Sequence, residues 1–370
     1  MKSKKFWSYE VCTQFNLTEE VLASGKQRGK FYDDALLFYE LMGTGPHPSI
    51  KKLQGNTSPT AVNFSNVLLD INTIKILFHL LPNTKITTLK FSNNNFNLKS
   101  LECLVKCLTE KENNINNLSY EWNSDVIIDD IKYSYNDIKI IEDEKLIQDI
   151  KKTQSLLVNL ITFVPSKLEI LCLRGNCLGD DVAIKIFEGL KNEENFIRVL
   201  NLFKNNLTDK SIKTFSEMLL VNRNLEEINF GNNYLTDEAL DLIAKNYGIF
   251  KLNPEELEEF KRLEKERQDI IKQNAKLKAS KKPELDVPYL DELKEINGES
   301  FKVKNDILKI FNLIQNNFTE KSFESITKLL DGNPNTVISI EGRPFTEEQR
   351  ALLKNTENEK KYGERVFLLK

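Results

Sequence analysis

The sequence predicts an α/β fold: a leucine-patterned solenoid of about seven stacked strand–helix repeats, with two inserts and non-repeat termini. Three observations predict it: a repeated apolar frame, a change of apolar spacing within each repeat, and a recurrent asparagine. The frame reads apolar-x-x-apolar-x-apolar-x-x-Asn-x-Leu in three successive segments. Its asparagines follow one another at intervals of 29 and 28 residues: Asn176, Asn205 and Asn233. An internal period of this length is typical of stacked repeats.

Within one repeat the apolar spacing changes from strand-like to helical. Leu171 and Leu173 are two residues apart, so a short strand would point both side chains into one core. Val182, Ile186 and Leu190 then fall on one face of a helix. One such unit cannot bury its apolar edge alone, whereas a stack of units can. We expect the asparagine to bond backbone groups of the turn, because its side chain has both donors and an acceptor.

The frame extends along most of the chain. It fits further copies, complete or degenerate, at Val62, Asn94, Asn123, Asn316 and Val337. These long units, with the helix on the outer side, resemble the ribonuclease-inhibitor class of leucine-rich repeats over residues 59–250 and 304–355. The resemblance implies a curved horseshoe, with the strands on the concave side and the helices outside.

Breaks in the frame divide the chain into five segments. These are an N-terminal arm or cap at 1–58, leucine-rich repeats at 59–249 with an insert near 126–150, a charged helical insert at 250–303, terminal repeats and a cap at 304–355, and a C-terminal tail at 356–370. The first insert is expected because 53 residues separate Asn123 from Asn176, and such insertions map to loops on one face of a solenoid. The N-terminal segment either caps the first repeat or docks on a partner through Phe6, Trp7 and Tyr9.

Two helices are predicted beside these inserts. TQSLLVNLITFV follows the first insert and is expected to stop at Pro165. In the second insert, Asn253 followed by Pro254 and two glutamates is typical of a helix start. The apolar stripe of this charged helix is too thin for a stable coiled coil. We expect either a solvated helix or flexible insert, or a strut that lies along another protein.

Composition excludes several function classes. The net charge of −3 gives no basic field for nucleic acid. No apolar run approaches the ~20 residues that cross a membrane, and the lysines near the start precede no apolar signal region. Five scattered cysteines predict free thiols in a reducing compartment, hence a cytoplasmic protein. Cys103 and Cys107 lie four apart on a predicted helix and could reach a metal, but neither histidine has ligand spacing to them, so buried structural thiols are the favoured interpretation.

We predict a non-catalytic protein-binding scaffold, with no cofactor and no metal. The chain has no glycine-rich phosphate loop, no Cys/His metal grid, and two histidines far apart. The segment PYLDELKEINGESFKVKNDILKIFNLIQNNFTEKSFESI, a late repeat behind a charged insert, resembles ciliary leucine-rich repeat proteins. That resemblance implies an accessory subunit of a large complex such as the axoneme of a cilium. The alternative is a GTPase-activating protein, since a relative of this repeat class has that activity; Arg174 or Asn206 would then act at a turn of the stack.

The candidate binding surface follows from strand alternation. Residues between the buried leucines should face the concave side, because side-chain direction reverses at every step. The predicted protein-binding residues are Ile170, Cys172, Arg174, Val199, Asn201, Phe203, Glu227, Asn229, Ile310 and Ile314. Phe203 is the preferred single anchor, since aromatic side chains tend to dominate binding energy. The alternative is that an insert or the tail folds back and covers this face.

Overall fold

The computed structural model describes residues 6–25, 29–94, 96, 98–123, 125–128, 131–134, 144–162, 167–288, 290–296, 298–354 and 365–369. The strands of this part of the chain are β1 Ala61–Asn63, β2 Thr88–Ser92, β3 Asn117–Glu121, β4 Asp125–Ile128, β5 Ile131–Ser134, β6 Ile170–Cys172, β7 Val199–Asn201, β8 Glu227–Asn229, β9 Ile249–Lys251, β10 Glu292–Ile296, β11 Glu299–Val303, β12 Ile310–Asn312, β13 Val337–Glu341 and β14 Val366–Leu369.

The α-helices of the same residues lie between these strands or before them. They are α1 Tyr9–Gln14, α2 Glu19–Ser24, α3 Phe31–Leu41, α4 Pro48–Lys51, α5 Ile71–Leu80, α6 Leu98–Glu110, α7 Glu144–Thr162, α8 Asp180–Gly189, α9 Asp209–Leu219, α10 Asp237–Lys245, α11 Pro254–Ala279, α12 Phe323–Gly332 and α13 Glu347–Lys354. Two short 3-10 helices span Leu81–Asn83 and Glu320–Ser322.

One long sheet organises the described chain. Its nine strands run in the order β1-β2-β3-β6-β7-β8-β12-β13-β14, and every neighbouring pair is parallel. Helices α5 to α10 and then α12 contact one another in sequence along the same stack. The architecture is therefore a row of strand–helix units, as the frame predicts. The number of complete repeats stays a prediction.

The core lies between this sheet and the helices. The six strand side chains predicted to be buried have no exposed surface: Leu171, Leu173, Leu200, Leu202, Ile228 and Phe230. Helix residues of the predicted apolar face, such as Ile186 and Leu190, are equally buried. Successive repeats therefore share one apolar layer, as a solenoid requires.

The recurrent asparagine joins successive repeats through the backbone. The buried Asn205 donates from Nδ2 to the carbonyls of Leu173 at 3.1 Å and Leu202 at 2.9 Å. Its Oδ1 accepts from the N–H groups of Asn176 at 3.1 Å and Leu178 at 3.0 Å. Equivalent bonds recur at Asn94, Asn123, Asn176, Asn233 and Asn316. The expectation that this residue bonds turn backbone is confirmed.

The N-terminal segment lies on the first repeat. Helices α1 and α3 contact α5, and the hydroxyls of Tyr39 and Thr73 are 2.8 Å apart in the core. Trp7 packs edge-on against the buried ring of His47, with ring centres 4.7 Å apart. Phe6, in contrast, is 83% exposed. The packing is that of a cap, while Phe6 leaves one aromatic side chain in solvent.

The first insert is shorter than the sequence predicts. Strands β4 and β5 pair as an antiparallel hairpin directly after Trp122 and Asn123, and β4 contacts helices α6 and α7. Helix α7 already begins at Glu144 and ends at Thr162. The last residues of the predicted insert, 144–150, therefore belong to this helix, which begins before the predicted TQSLLVNLITFV. Residues 135–143 and Pro165 lie outside the described residues.

The second insert contains strands that the sequence reading missed. Asn253 caps α11 and forms a capping box with Glu256, as its sequence favours. After the helix, β10 and β11 pair antiparallel, and β11 also pairs with β9, the strand that leaves the repeats. The segment 250–303 is thus a helix with a three-stranded sheet rather than a helical insert alone. In β10, Lys294 and Glu295 separate Leu293 from Ile296, so this strand lacks the apolar alternation that marks the main sheet.

The C-terminal tail adds the last strand. β14 pairs with β13 in parallel register, Ile338 opposite Val366 and Ile340 opposite Leu368. The apolar end of the tail therefore packs against the sheet as a strand. Residues 355–364 lie outside the described residues.

Candidate protein-interaction surface

The strand register brings the predicted binding residues together on one face of the sheet. We call this face, opposite the helices, the concave face. One row runs through Asn117, Ile170, Val199, Glu227, Ile310 and Val337, each directly opposite the next. The second row runs through Ser119, Cys172, Asn201, Asn229, Asn312 and Ser339. Arg174, Phe203 and Ile314 lie two residues further along the chain, where the turns begin. With the residues at the same position in other repeats, such as Glu121 and Glu341, they form the third row.

The first row supplies partly exposed apolar side chains. Ile170 is 36% and Ile310 is 40% exposed, whereas Val199 is half-buried between its neighbours. Glu227 interrupts this row with a charge. The row is therefore amphipathic and not a continuous apolar stripe.

The second row is made rigid by its asparagines. Asn201 Oδ1 accepts from the N–H of Phe203 at 2.9 Å, and Asn229 Oδ1 accepts from the N–H of Gly231 at 3.0 Å. Asn312 makes the corresponding bond to Ile314 at 3.3 Å. These bonds hold the turn backbone at the ends of three neighbouring strands. The third row therefore stands on ordered backbone.

Cys172 belongs to the same row and carries a neutral thiol. Burial, with a smaller contribution from the nearby carboxylate of Glu121, raises its pKa to about 12. A thiol that stays protonated is a poor nucleophile and a poor metal ligand. Cys172 therefore contributes surface and not reactivity.

A cluster of two aromatic and two cationic side chains lies at the carboxyl ends of β3, β6 and β7. The guanidinium carbon of Arg174 is 4.6 Å from the ring centre of Phe203 and 5.3 Å from that of Trp122. Lys204 Nζ is 4.9 Å from the Trp122 ring centre. Such distances are those of cation–π contacts. We call these four residues the cation–aromatic cluster.

Two glycines make room for the two rings. A β-carbon on Gly175 would lie 2.5 Å from Trp122 Cε3, and one on Gly231 would lie 2.7 Å from Phe203 Cδ2. Both distances are shorter than real contacts, so any larger residue would push the ring away. Gly175 also has a φ of +69°, a conformation that favours glycine. The cluster therefore depends on residues with no side chain of their own.

Trp122 and Lys204 were missed by the sequence reading. Both occupy the position just before the frame asparagine, where the backbone is left-handed; φ is +53° at each of them. The same position holds Asn93, Gly175, Asn232 and Gln315 in other repeats. A bulky residue in this conformation is rare and costs energy. Most residues at this position of the repeat are glycine, asparagine or glutamine. The tryptophan departs from that pattern, and this departure is the feature of the sequence that points to it.

Arg174 has an incomplete set of partners. Its Nε is buried, and among the described residues no acceptor lies within hydrogen-bond distance of it. No carboxylate of those residues lies within ion-pair distance of its guanidinium. The guanidinium is therefore held by ring faces instead of by an acid.

In the described part of the chain, the inserts and the tail contact other elements and leave this cluster partly exposed. The hairpin of β4 and β5 contacts the helices α6 and α7, and the tail strand β14 lies at the end of the sheet beside β13. Trp122 keeps 38% of its surface exposed. The predicted alternative, an insert or tail folded over the face, also involves residues 135–143 and 355–364, which lie outside the described residues.

A separate concavity lies between α11 and the helices α10 and α12. It measures about 820 Å³ and is rich in lysine. Several of these lysines already have carboxylate partners: Lys251 with Glu299, Lys302 with Asp291, and Lys328 with Glu324. Half of the lysines that line the groove are therefore paired with an acid, unlike the arginine of the concave face.

The other chemical candidates are weak in the described chain. Cys103 Sγ and Cys107 Sγ are 4.0 Å apart on α6, but no group of three or more potential metal-ligating side chains occurs among the described residues. Asn206 donates from its amide toward the carbonyl of Cys177 at 3.4 Å. Of the helices in the described ranges, none combines the length and the apolar character needed to cross a bilayer.

Comparison with known proteins identifies the repeat. The family model described as Leucine Rich repeat matches residues 195–216, which contain β7 and most of α9. A search of curated proteins gives no significant match to the chain. A leucine-rich repeat suggests a role in protein interaction. The family match and the parallel sheet flanked by helices fit a leucine-rich repeat protein.

Proposed function

We propose that the protein binds another protein through the concave face, with the cation–aromatic cluster at the centre of the interface. The observation that carries this proposal is the stack of Arg174 between Trp122 and Phe203. Tryptophan and arginine are enriched among residues that dominate binding energy, and aromatic rings bury large area on contact. The second row consists of short side chains, most of them polar, so the cluster is where a partner gains most.

Preorganisation supports the same conclusion. The asparagines of the second row bond the turn backbone. Gly175 and Gly231 lack a β-carbon, so the two rings can lie close against the backbone there. A side chain already ordered before binding loses little rotamer entropy on binding. Around the cluster, Ile170, Val199 and Ile314 add apolar area. Ordered anchors with apolar neighbours are typical of protein interaction sites.

The finer proposal is an accessory role without catalysis in a large assembly. It rests on the resemblance of the charged insert and late repeat to ciliary proteins, in particular leucine-rich repeat-containing protein 71. This role implies a cytoplasmic protein at the axoneme. The tagged protein should then co-sediment with detergent-extracted axonemes, and its presence only in the supernatant would contradict this part of the proposal.

GTPase activation is the competing function. Arg174 has no acid partner among the described residues, and a GTPase-activating arginine acts by contacting transition-state phosphate charge. Its clamping between two rings argues against the reach that such an arginine needs. A multiple-turnover assay with a panel of small GTPases decides between GTPase activation and the scaffold proposal. Stimulation that disappears in Arg174→Ala would replace the scaffold proposal.

The binding face is tested with two matched aromatic variants. A partner captured with the wild-type chain is purified and titrated against Phe203→Ala and Phe196→Ala. Phe196 is 56% exposed but precedes its strand, outside the three rows of the concave face. Phe203→Ala should weaken binding by about 2 kcal/mol or more, whereas Phe196→Ala should bind as the wild type does. Equal binding by both variants would place the interface elsewhere.

A further inference from the structure

We propose that the partner presents a carboxylate to the cation–aromatic cluster, and that Arg174 receives it through the outer edge of its guanidinium. This inference rests on the proposed function and specifies the chemistry of the ligand. The recognised element is an acidic segment of a protein that also carries apolar side chains. Three observations lead to it: the rings beside Arg174, the absence of an acid paired with it among the described residues, and the pattern of acids elsewhere on the face.

The rings leave only one side of Arg174 for a ligand. Trp122 comes from the preceding repeat and Phe203 from the following one, with ring centres 5.3 and 4.6 Å from the guanidinium carbon. A guanidinium is planar and donates its hydrogen bonds in that plane. With ring faces above and below and Nε buried, the terminal nitrogens form the accessible edge. That edge matches the two oxygens of a carboxylate.

Neither cation of the cluster makes an ion pair with a carboxylate among the described residues. Lys204 adds a second cation 4.9 Å from the Trp122 ring centre. Glu121 lies in the same row on β3, where its Oε1 accepts from the Ser119 hydroxyl and makes no ion pair with Arg174. A cation that lacks an acid and lies in partly desolvated surroundings gains strongly from an incoming anion. An acidic ligand therefore completes the site.

The same face disfavours a polyanion. Glu121 and Glu341 lie in the row of Arg174, and Glu227 lies in the first row. A nucleic acid carries a charge at every phosphate, so it would meet these carboxylates as well as Arg174. A protein segment can place one carboxylate at the arginine and neutral residues elsewhere. The observations therefore favour a protein ligand.

The apolar neighbours define the rest of the ligand. From β6, which carries Arg174, to β12, which carries Ile314, there are three strand steps in the sheet. At about 4.8 Å per step this is roughly 14 Å. An extended segment spans that distance in about four residues. We therefore expect an aspartate or glutamate with apolar residues within about four positions.

A random 12-residue peptide display library, selected on the full chain, tests the ligand class. Wild-type protein should enrich peptides that contain an aspartate or glutamate beside apolar residues, and Arg174→Gln should lose the acidic preference. One enriched peptide is then synthesised with its acid and with the corresponding amide. The amide should bind the wild type at least tenfold more weakly, whereas Arg174→Gln should bind the two peptides alike.

Two further arms distinguish the reasons for failure. Arg174→Lys keeps the charge but not the planar fork, so a merely electrostatic role would be rescued and edge recognition would not. Enriched peptides without acid preference that still require Phe203 would overturn the carboxylate inference and leave the proposed face intact. Peptides that bind Phe203→Ala as well as wild type would overturn the face itself. Stronger binding to single-stranded oligonucleotide than to the acidic peptide would also overturn the inference.

Discussion

The guanidinium carbon of Arg174 stands 4.6 Å from the centre of the Phe203 ring, across the boundary between two consecutive repeats. The two residues occupy equivalent positions, each directly after the second buried leucine of its repeat, Leu173 or Leu202, so stacking of the repeats alone brings them together. This contact links the architecture of the solenoid to its candidate surface. A change in either repeat spacing or local turn geometry would separate the two side chains.

Removing a core leucine tests the register. Leu200 has no exposed surface, so Leu200→Ala should lower the free energy of unfolding by on the order of 2–5 kcal/mol. Leu352, 59% exposed on α13, supplies the control Leu352→Ala, which should change little. Urea unfolding curves compare the two. A Leu200→Ala variant as stable as wild type would contradict the assignment of this residue to the core.

Removing one recurrent asparagine tests the backbone ladder. Asn205→Ala leaves the N–H groups of Asn176 and Leu178 without their acceptor. Each buried donor without a partner costs about 1–3 kcal/mol. The exposed Asn317 gives the control Asn317→Ala. Equal thermal melting of the two variants would show that the ladder adds no stability.

Adding a methyl group at Gly175 tests the packing of the cluster. The new β-carbon would collide with the Trp122 ring, so Gly175→Ala should displace that ring toward water. In a Trp7→Phe background, the fluorescence of Trp122 should then shift to longer wavelength. Gly55→Ala is the control, because Gly55 has a φ of +81° but nothing within 4 Å of its added carbon. Both variants share the backbone strain, and only the first should change the emission.

The buried His47 predicts a pH dependence of stability. His47 Nδ1 accepts from the N–H of Ser49 at 3.1 Å, which leaves Nε2–H to donate to the carbonyl of Leu68 at 3.0 Å. Burial lowers its pKa from 6.5 to about 4. Between these values the unfolded chain binds the proton and the folded chain does not. Stability is therefore fully present above pH 6.5 and falls as the pH drops toward 4, with a slope of up to about 1.4 kcal/mol per pH unit from this group.

Comparison with His47→Gln isolates this contribution. Glutamine does not titrate, so the difference in unfolding free energy between wild type and variant should shrink as the pH falls from 6.5 to 4. Asp70 is also buried, and burial raises the pKa of its carboxyl. Its contribution has the opposite sign and is common to both proteins, so it cancels in the difference. A difference that is constant with pH would contradict the assignment to His47.

The sequence predicts the repeated units well because their pattern is local. An apolar residue at every second position fixes which face of a strand is buried, and the period of 29 and 28 residues sets which positions align in neighbouring repeats. The pairing of Ile170 with Val199 and of Cys172 with Asn201 follows from those two facts. The helix start at Asn253 is equally local, since capping needs only the residues of one turn.

Elements without this pattern were predicted poorly. The charged strands β10 and β11 are stabilised by pairing with each other and with β9, a contact that no apolar period reports. Helix α7 begins at Glu144, before the apolar stretch that predicted it, because the helix extends into the polar residues that precede this stretch. The tail becomes a strand because β13 presents an edge to it. For β11 and β14 the deciding partner, β9 or β13, is distant in sequence.

The sequence by itself determined the solenoid, its buried leucines and the residues that line the concave face. Only the tertiary structure decided that Trp122, 52 residues before Arg174 in the chain, lies over it and over Gly175. The position of Trp122 depends on a left-handed backbone and on the absence of a side chain in the next repeat. A strand pattern records which side chains are buried, whereas side-chain contacts between turns depend on backbone conformation in two repeats at once.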